Sequence, residues 1–159
     1  MKGIYLSGKA AVARILVVDD EPDVRELFNI TLKMAGHVTE TASDGLEAVD
    51  KLKAEIPDLV LLDLMMPRLD GFGLLSHIRK NMASQPIRVL IATAKVLEDS
   101  DHEQLDSWPV VGVLNKGELD IGQMVTIVRD ALQRNPKNPE KNGDESRPAS
   151  SEIKKGDSS

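Results

Sequence analysis

The sequence contains no cysteine, which excludes disulfides, cysteine-ligated zinc, iron–sulfur clusters and thiol nucleophiles together. Its aromatic residues are one tryptophan, one tyrosine and two phenylalanines, too few for a platform on which single-stranded nucleic acid could stack. A basic surplus is also missing: 20 Lys and Arg stand against 26 Asp and Glu, a net charge of −6. No nucleic-acid partner is therefore expected, because phosphate neutralisation needs clustered Lys and Arg. No apolar run approaches the roughly 18–20 residues that span a bilayer, so no membrane partner is expected either. The opening stretch carries two lysines and an Ala-Val-Ala, faintly like a signal peptide, but Lys9 interrupts its apolar part. A cytoplasmic protein is expected.

What is present is 159 residues, 41% of them apolar, enough for one domain with a real core. Composition shifts after Arg134: residues 135–159 hold Pro136, Pro139, Pro148, five serines and one aliphatic side chain larger than alanine, Ile153. Such a stretch cannot bury enough apolar surface to offset its ordering entropy and reads as disordered. Its acidic and basic residues balance, so the whole −6 lies in residues 1–134. The expected division is an N-terminal extension over 1–13, a folded domain over 14–134 and a polar tail over 135–159.

Within the folded part, apolar runs at 15–18, 59–62, 87–92 and 110–114, with a weaker one at 38–42, alternate with helical patterns. Most runs are continuous, as in strands covered on both faces. Pro22 opens a helix whose inward stripe is expected to be Val24, Leu27, Phe28 and Thr31, with Gly36 as its stop. Asp44 and Glu47 have capping-box spacing, and Pro57 closes that helix. Leu74, Leu75 and Ile78 mark a third helix, and Ile121, Met124, Val125, Val128 and Leu132 a last one of clean 3.6 period. The acidic segment 95–108 predicts at most a brief or mobile helix. Five strands alternating with about five helices imply an open, doubly wound α/β domain with a parallel sheet, whose ligands bind beyond the carboxyl ends of the strands.

Those ends carry chemistry. The first strand runs into Asp19-Asp20-Glu21, the third into Asp63, the fourth into Thr93 and the fifth into Lys116. If the strands are neighbours, three aspartates converge with Thr93 and Lys116 beside them. Two carboxylates about 4 Å apart repel by roughly 4 kcal/mol at an effective dielectric near 20, so the cluster calls for a cation, a shared proton or a catalytic purpose. Oxygen-only donors suit Mg²⁺.

At this point the sequence resembles the receiver domain of two-component response regulators. The resemblance rests on Ile-Leu-Val-Val-Asp19-Asp20-Glu21-Pro, Thr41-Ala-Ser-Asp44-Gly45-Leu-Glu47-Ala, Asp58-Leu-Val-Leu-Leu-Asp63-Leu-Met-Met-Pro67-Arg-Leu-Asp70-Gly71, Ile91-Ala-Thr93-Ala94 and Lys116. It covers about residues 14–133 and implies a flavodoxin-like sheet of strand order 2-1-3-4-5 with helices on both faces. It further implies that Asp63 is the phosphoacceptor, a carboxylate nucleophile supplied by a sensor histidine kinase or a phosphotransfer protein. Asp20, Asp63 and the backbone carbonyl of Met65 would be Mg²⁺ ligands, with Asp19 acting through water. Lys116 and Thr93 would hold phosphoryl oxygens, and Ala94 would leave the path to them open. Such a protein catalyses only its own phosphorylation and dephosphorylation. It signals to a downstream protein partner, here unidentified, as a monomer or a phosphorylation-dependent dimer.

Three departures from the family pattern matter. Lys116 is followed by Gly117 where the family usually has proline; a cis peptide without proline costs about 2.5–4 kcal/mol, so a trans peptide or a flexible loop is expected. Val113 stands where a switching tyrosine or phenylalanine is common, so output needs another element, for which the acidic stretch 95–106 is the candidate. Met65 and Lys95 occupy two positions that tune dephosphorylation, and neither suits orienting an attacking water.

Taken alone, Asp-Asp-Glu at a helix start is equally explained by capping and dipole complementarity; Asp63, Thr93 and Lys116 in register argue for a site. Asp44-Gly45 and Asp70-Gly71 read as turn and helix-start signals. His37, His77 and His102 have no ligand spacing, and Trp108 reads as a gap filler. The main expectation is a stand-alone receiver in a phosphorelay, because no helix-turn-helix follows. A pseudo-receiver acting without phosphorylation is the alternative. A metal-dependent phosphatase on a similar sheet is disfavoured, because its two aspartates would lie two residues apart on one strand end.

Overall fold

The computed structural model describes residues 12–82 and 87–135. The expected N-terminal extension and polar tail therefore lie outside the described residues, apart from Val12, Ala13 and Asn135. In chain order the elements are β1 (Arg14–Val18), α1 (Pro22–Met34), β2 (Val38–Ala42), α2 (Gly45–Ala54), β3 (Leu59–Leu62) and α3 (Gly71–Asn81). They continue with β4 (Arg88–Thr93), α4 (Asp99–Leu105), β5 (Val110–Asn115), a 3-10 turn (Lys116–Glu118) and α5 (Ile121–Leu132). The five strands form one parallel sheet in the order β2-β1-β3-β4-β5.

The continuous apolar runs are explained by two-sided cover. Leu16, Val18, Val60, Leu62, Val89 and Ile91 point to one face, where α2, α3 and α4 supply Leu52, Leu74, Leu75, Ile78 and Leu105. Their neighbours Ile15, Val17, Leu59, Leu61, Leu90 and Ala92 point to the other, against Phe28 and Leu32 of α1 and Met124 and Val128 of α5. Each such burial contributes about 1.5–3 kcal/mol of transfer free energy. The outer strands β2 and β5 lack this double cover and are only partly buried.

Helix boundaries follow their caps. Asp44, Asp70 and Asp120 each accept a backbone N–H in the first turn of α2, α3 and α5. Glu47 completes the α2 start differently from a standard capping box: its carboxylate accepts both the N–H and the hydroxyl of Ser43. α1 opens on Pro22 with no side-chain cap, and Gly36 just beyond its end has φ +99°, the left-handed stop that glycine permits. The expected α1 stripe needs one correction. Leu27 is 46% exposed, because the helix centres its inward face on Phe28 and Leu32, and a residue one step earlier is turned about 100° away. The helix in the acidic segment is brief, seven residues, with Asp101 and Leu105 buried. Trp108 packs against the α2/α3 face, beneath the Arg79 guanidinium 5.5 Å from its ring centre. Among the described residues no helix is long and apolar enough to cross a membrane.

Candidate functional site

Register places the site. In the parallel pairing of β1 with β3, Val18 lies opposite Leu62, so the next residues, Asp19 and Asp63, leave adjacent strands side by side. Backbone bonds continue the ladder past the strand ends: the Asp19 N–H donates to Ala42 O at 3.1 Å and the Asp63 N–H to Val18 O at 3.0 Å. Both aspartates are almost fully buried. Asp20 is more open to solvent, and one carboxylate oxygen from each of the three lies within 4.8 Å of the others. It is the only such metal-capable cluster among the described residues.

Lys116 closes the pocket from the end of β5. Its Nζ lies 2.6 Å from Asp19 Oδ2, 3.2 Å from Asp63 Oδ2 and 3.2 Å from Glu21 Oε1. The other oxygens are held by the backbone: Asp19 Oδ1 accepts the Glu21 N–H at 3.0 Å, and Asp63 Oδ1 accepts the Met65 N–H at 3.2 Å. Asp63 is thus aimed by its own loop, one oxygen tethered and one turned to the ammonium. Burial raises the pKa of Asp19 and of Asp63 above the ordinary carboxylate value, against the contrary pull of Lys116 and of these backbone bonds. Burial also works against the Lys116 ammonium, but Asp19, Asp63 and Glu21 outweigh it and raise its pKa. One ammonium against this many carboxylates leaves the pocket net negative.

Thr93 is the last residue of β4, opposite Asn115, and is buried; its Oγ1 accepts the Lys95 N–H at 3.1 Å. Ala94 follows and is exposed, as is the Met65 side chain. The structure thus brings Asp19, Asp20, Asp63 and Lys116 into one cluster, with Met65 bonded to Asp63 and Thr93 on the neighbouring strand end. The loop after Lys116 is resolved in favour of trans: no described peptide bond is cis. Asn115 shapes it, its Oδ1 accepting the Gly117 N–H at 2.8 Å, a donor that proline would lack. The Asp-Gly pairs do more than mark turns. A Cβ on Gly71 would stand 2.7 Å from the Asp63 carbonyl oxygen and 2.6 Å from Leu64 Cα, and one on Gly45 would stand 2.3 Å from the Leu69 carbonyl oxygen. Both glycines let α2 and α3 close onto the loop that carries Asp63.

Sequence reasoning assigned no role to Glu21 or to Arg25, whose guanidinium donates to the Asp19 carbonyl at 2.8 Å. Glu21 was visible as the third acid of the Asp-Asp-Glu run; Arg25 had only its position one turn into α1 as a signal. The three histidines stay out of the site. His37 is buried and its Nδ1 accepts the Ala13 N–H at 3.1 Å, while His77 and His102 belong to no metal-capable group among the described residues.

The cluster fits Mg²⁺ by its chemistry: the donors are hard oxygens only, Asp20 opens to solvent, and Asp19 Oδ2 is buried with no hydrogen bond of good geometry despite its ionic contact with Lys116.

A doubly wound five-stranded sheet with a lysine-bridged acid pocket at its carboxyl edge places the molecule with the chemotaxis-regulator-like α/β signalling domains. The chain belongs to the response regulator receiver domain family, which matches residues 15–129; it is a receiver domain of two-component response regulators. It is 34% identical over 127 residues to the DNA-binding dual master transcriptional regulator RpaA of Synechocystis, covering 80% of this chain and 52% of that protein. It is 45% identical over 85 residues to response regulator MprA of Mycobacterium avium, covering 54% of this chain and 37% of that one. The chain thus spans from about a third to a half of the curated relatives it matches. Among solved structures, chemotaxis protein CheY4 of Vibrio cholerae superposes with TM-score 0.69 at 26% identity, covering 76% of this chain and 99% of that one. Response regulator TrrA of Thermotoga maritima, in complex with Mg(2+)-BeF, gives TM-score 0.62 at 32% identity, covering 74% of this chain and 97% of that one.

Proposed function

We propose that this receiver accepts a phosphoryl group on Asp63 from a phosphohistidine of a sensor kinase or phosphotransfer protein, and signals by altering protein contacts. The observation that carries the reading is Lys116 Nζ held 3.2 Å from Asp63 Oδ2 inside a three-aspartate cluster of which Asp19 and Asp63 are buried. Carboxylates kept this close with a single cation between them suit charge neutralisation of a transferred phosphoryl group. Asp63 Oδ2, the oxygen not tethered to Met65, attacks phosphorus; the P–N bond to the donor imidazole breaks, and its electron pair stays on the imidazole. Lys116 turns from the carboxylate to an oxygen of the acquired group, and the Thr93 hydroxyl donates a hydrogen bond to another. Exposed Ala94 leaves that approach clear. Mg²⁺, held by Asp20, Asp63 and the Met65 carbonyl with Asp19 through water, would supply the remaining positive charge, and the Mg(2+)-BeF complex of TrrA supports that expectation.

On this reading the protein is no enzyme toward other substrates and acts in the cytoplasm. Output through protein contacts of this domain is favoured by its acidic balance, which offers no phosphate-binding surplus. Relatives such as RpaA are DNA-binding regulators, however, and they extend well beyond the matched region. The pseudo-receiver alternative gains from Val113 in place of an aromatic. Incubation with acetyl phosphate and Mg²⁺ separates the two. A phosphoryl adduct in the intact mass of wild type, absent from Asp63→Asn and from wild type in chelator, is expected. No adduct on a folded wild-type protein would establish the pseudo-receiver.

A further inference from the structure

The loop that carries the acceptor is fastened at its far end by an ion pair that the phosphoryl chemistry does not use. Its near half is anchored by the packing of buried Leu64 and Met66 and by the Met65 N–H on Asp63 Oδ1 at 3.2 Å. Pro67 and Arg68 have no such anchor, and both are exposed. Arg68 has φ +65°, the one non-glycine residue in the left-handed region among the described residues. Its guanidinium Nη2 is paired with Oδ2 of Asp44, whose side chain is 5% exposed against 62% for Arg68. The other Asp44 oxygen, Oδ1, accepts the Glu47 N–H at 2.9 Å and so caps α2. Beside this pair the Gly45 N–H donates to the Leu69 carbonyl at 3.0 Å. Residues 68 and 69 are thus stitched to the first turn of α2, at the opposite end of the loop from Asp63.

We propose that Arg68 is a positioning residue for the acceptor loop: its ion pair with buried Asp44 clamps the far end of residues 64–70 to the start of α2 and so holds the Met65 carbonyl and the Asp63 carboxylate in the arrangement that binds a divalent cation. The inference rests on the Mg²⁺ part of the reading above. A left-handed backbone is unfavourable for a bulky exposed residue and persists where a tertiary contact holds it, which here is the bond to Asp44. Asp44 in turn is a carboxylate almost removed from water, and such a charge needs a cation to compensate it. The two segments also approach as closely as backbone allows, since a Cβ on Gly45 would stand 2.3 Å from the Leu69 carbonyl oxygen. With both ends of the loop fixed, the direction of the Met65 carbonyl between them is restricted. The sign of the effect on Mg²⁺ separates positioning from charge. A cation on this loop repels Mg²⁺, so losing Arg68 would tighten binding if only its charge mattered, whereas losing a clamp weakens it.

The test uses the full chain, with Mg²⁺ alone as the probe, its Kd taken by calorimetry, and amide hydrogen exchange recorded without the metal. Arg68→Asn removes the guanidinium and keeps a residue that tolerates the left-handed backbone. It should speed exchange of the Met65 and Gly45 amides several-fold and raise the Mg²⁺ Kd about two- to ten-fold, the range expected for one lost hydrogen bond. Exchange in β1, β3 and β4 should stay as in wild type, which establishes that the variant is folded and its effect local. Arg68→Lys, which keeps the charge, should recover most of the affinity. Asp44→Asn retains a cap on α2 without the charge, and in that background Arg68→Asn should add little. A Kd unchanged or lowered in Arg68→Asn, or an equal loss in the Asp44→Asn background, overturns the clamp. Weaker Mg²⁺ binding in Arg68→Asn with no adduct from acetyl phosphate on wild type upholds the clamp and overturns the phosphoacceptor reading. No Mg²⁺ binding by wild type overturns both.

Discussion

Lys116 Nζ lies 3.2 Å from Asp63 Oδ2, a contact that joins the ends of two strands separated in the sheet by β4. Both side chains are at least nine-tenths buried, so the interaction is screened little by solvent. Removing the ammonium leaves Asp19 and Asp63 buried, adjacent and uncompensated, the situation in which a broken buried pair costs about 3–5 kcal/mol. Lys116→Met should therefore lower stability by that order near neutral pH, measured by urea unfolding. The loss should shrink on acidification, because protonating the two carboxylates removes the stranded charge. A Lys116→Met protein as stable as wild type at neutral pH would show that the bridge is not structural.

Gly71 is constrained by space rather than by its dihedral angles. A methyl group there would meet Leu64 Cα at 2.6 Å and the Asp63 carbonyl oxygen at 2.7 Å, both backbone atoms that cannot step aside. Gly71→Ala should cost about 1–3 kcal/mol through overpacking and slow phosphorylation of Asp63 by displacing its loop. Gly122→Ala is the comparison. The nearest atom to its added methyl is Asp120 Oδ1 at 3.8 Å, and it should change stability by less than about 1 kcal/mol.

His37 links pH to the entry of β1. Its Nδ1 accepts the Ala13 N–H, which requires that nitrogen to be unprotonated, and burial lowers the ring's pKa below the usual 6.5. The folded state thus holds the neutral ring while the unfolded chain takes up a proton. Stability is full above about pH 7 and declines as pH falls through the unfolded value. His37→Gln should flatten that decline in urea midpoints measured from about pH 7 to about pH 5.5. An unchanged slope in the variant would assign the pH dependence elsewhere.

The lifetime of the phosphorylated form tests the two positions beside the acceptor. Met65 offers no group to orient water, and the Lys95 ammonium is engaged by Asp101. The phospho-form of wild type should decay slowly without a phosphatase, and Met65→Asn should shorten its half-life, followed by intact mass over time. Rapid decay of the wild-type form would contradict this.

Much of the fold was legible because two-sided burial imposes a signature that needs no partner to be recognised. The runs ending in Asp19, Asp63 and Thr93 read as strands covered on both faces and the run ending in Lys116 as a further strand, and parallel connectivity then brings their carboxyl ends to one edge. The gathering of Asp19, Asp20 and Asp63 with Lys116 at that edge followed from residue type and order, whereas the acceptor role expected of Asp63 came from the family resemblance. The inward stripe of α1 was less legible: Leu27 fits a helical period yet faces outward, because periodicity gives the spacing of a face and only packing against the sheet gives its direction. The brevity of α4 was readable from its poverty in apolar residues.

The sequence by itself determined the class of sheet, the edge at which the acidic cluster gathers and the residues that form it, because strand burial and residue chemistry are local properties. Only the tertiary structure decided that Glu21 shares Lys116, that Arg25 holds the Asp19 carbonyl, that Asn115 replaces a proline in shaping the lysine loop, and that Lys95 reaches Asp101. Each of these depends on where a flexible side chain points once distant elements have packed, and no local pattern of residues encodes that direction.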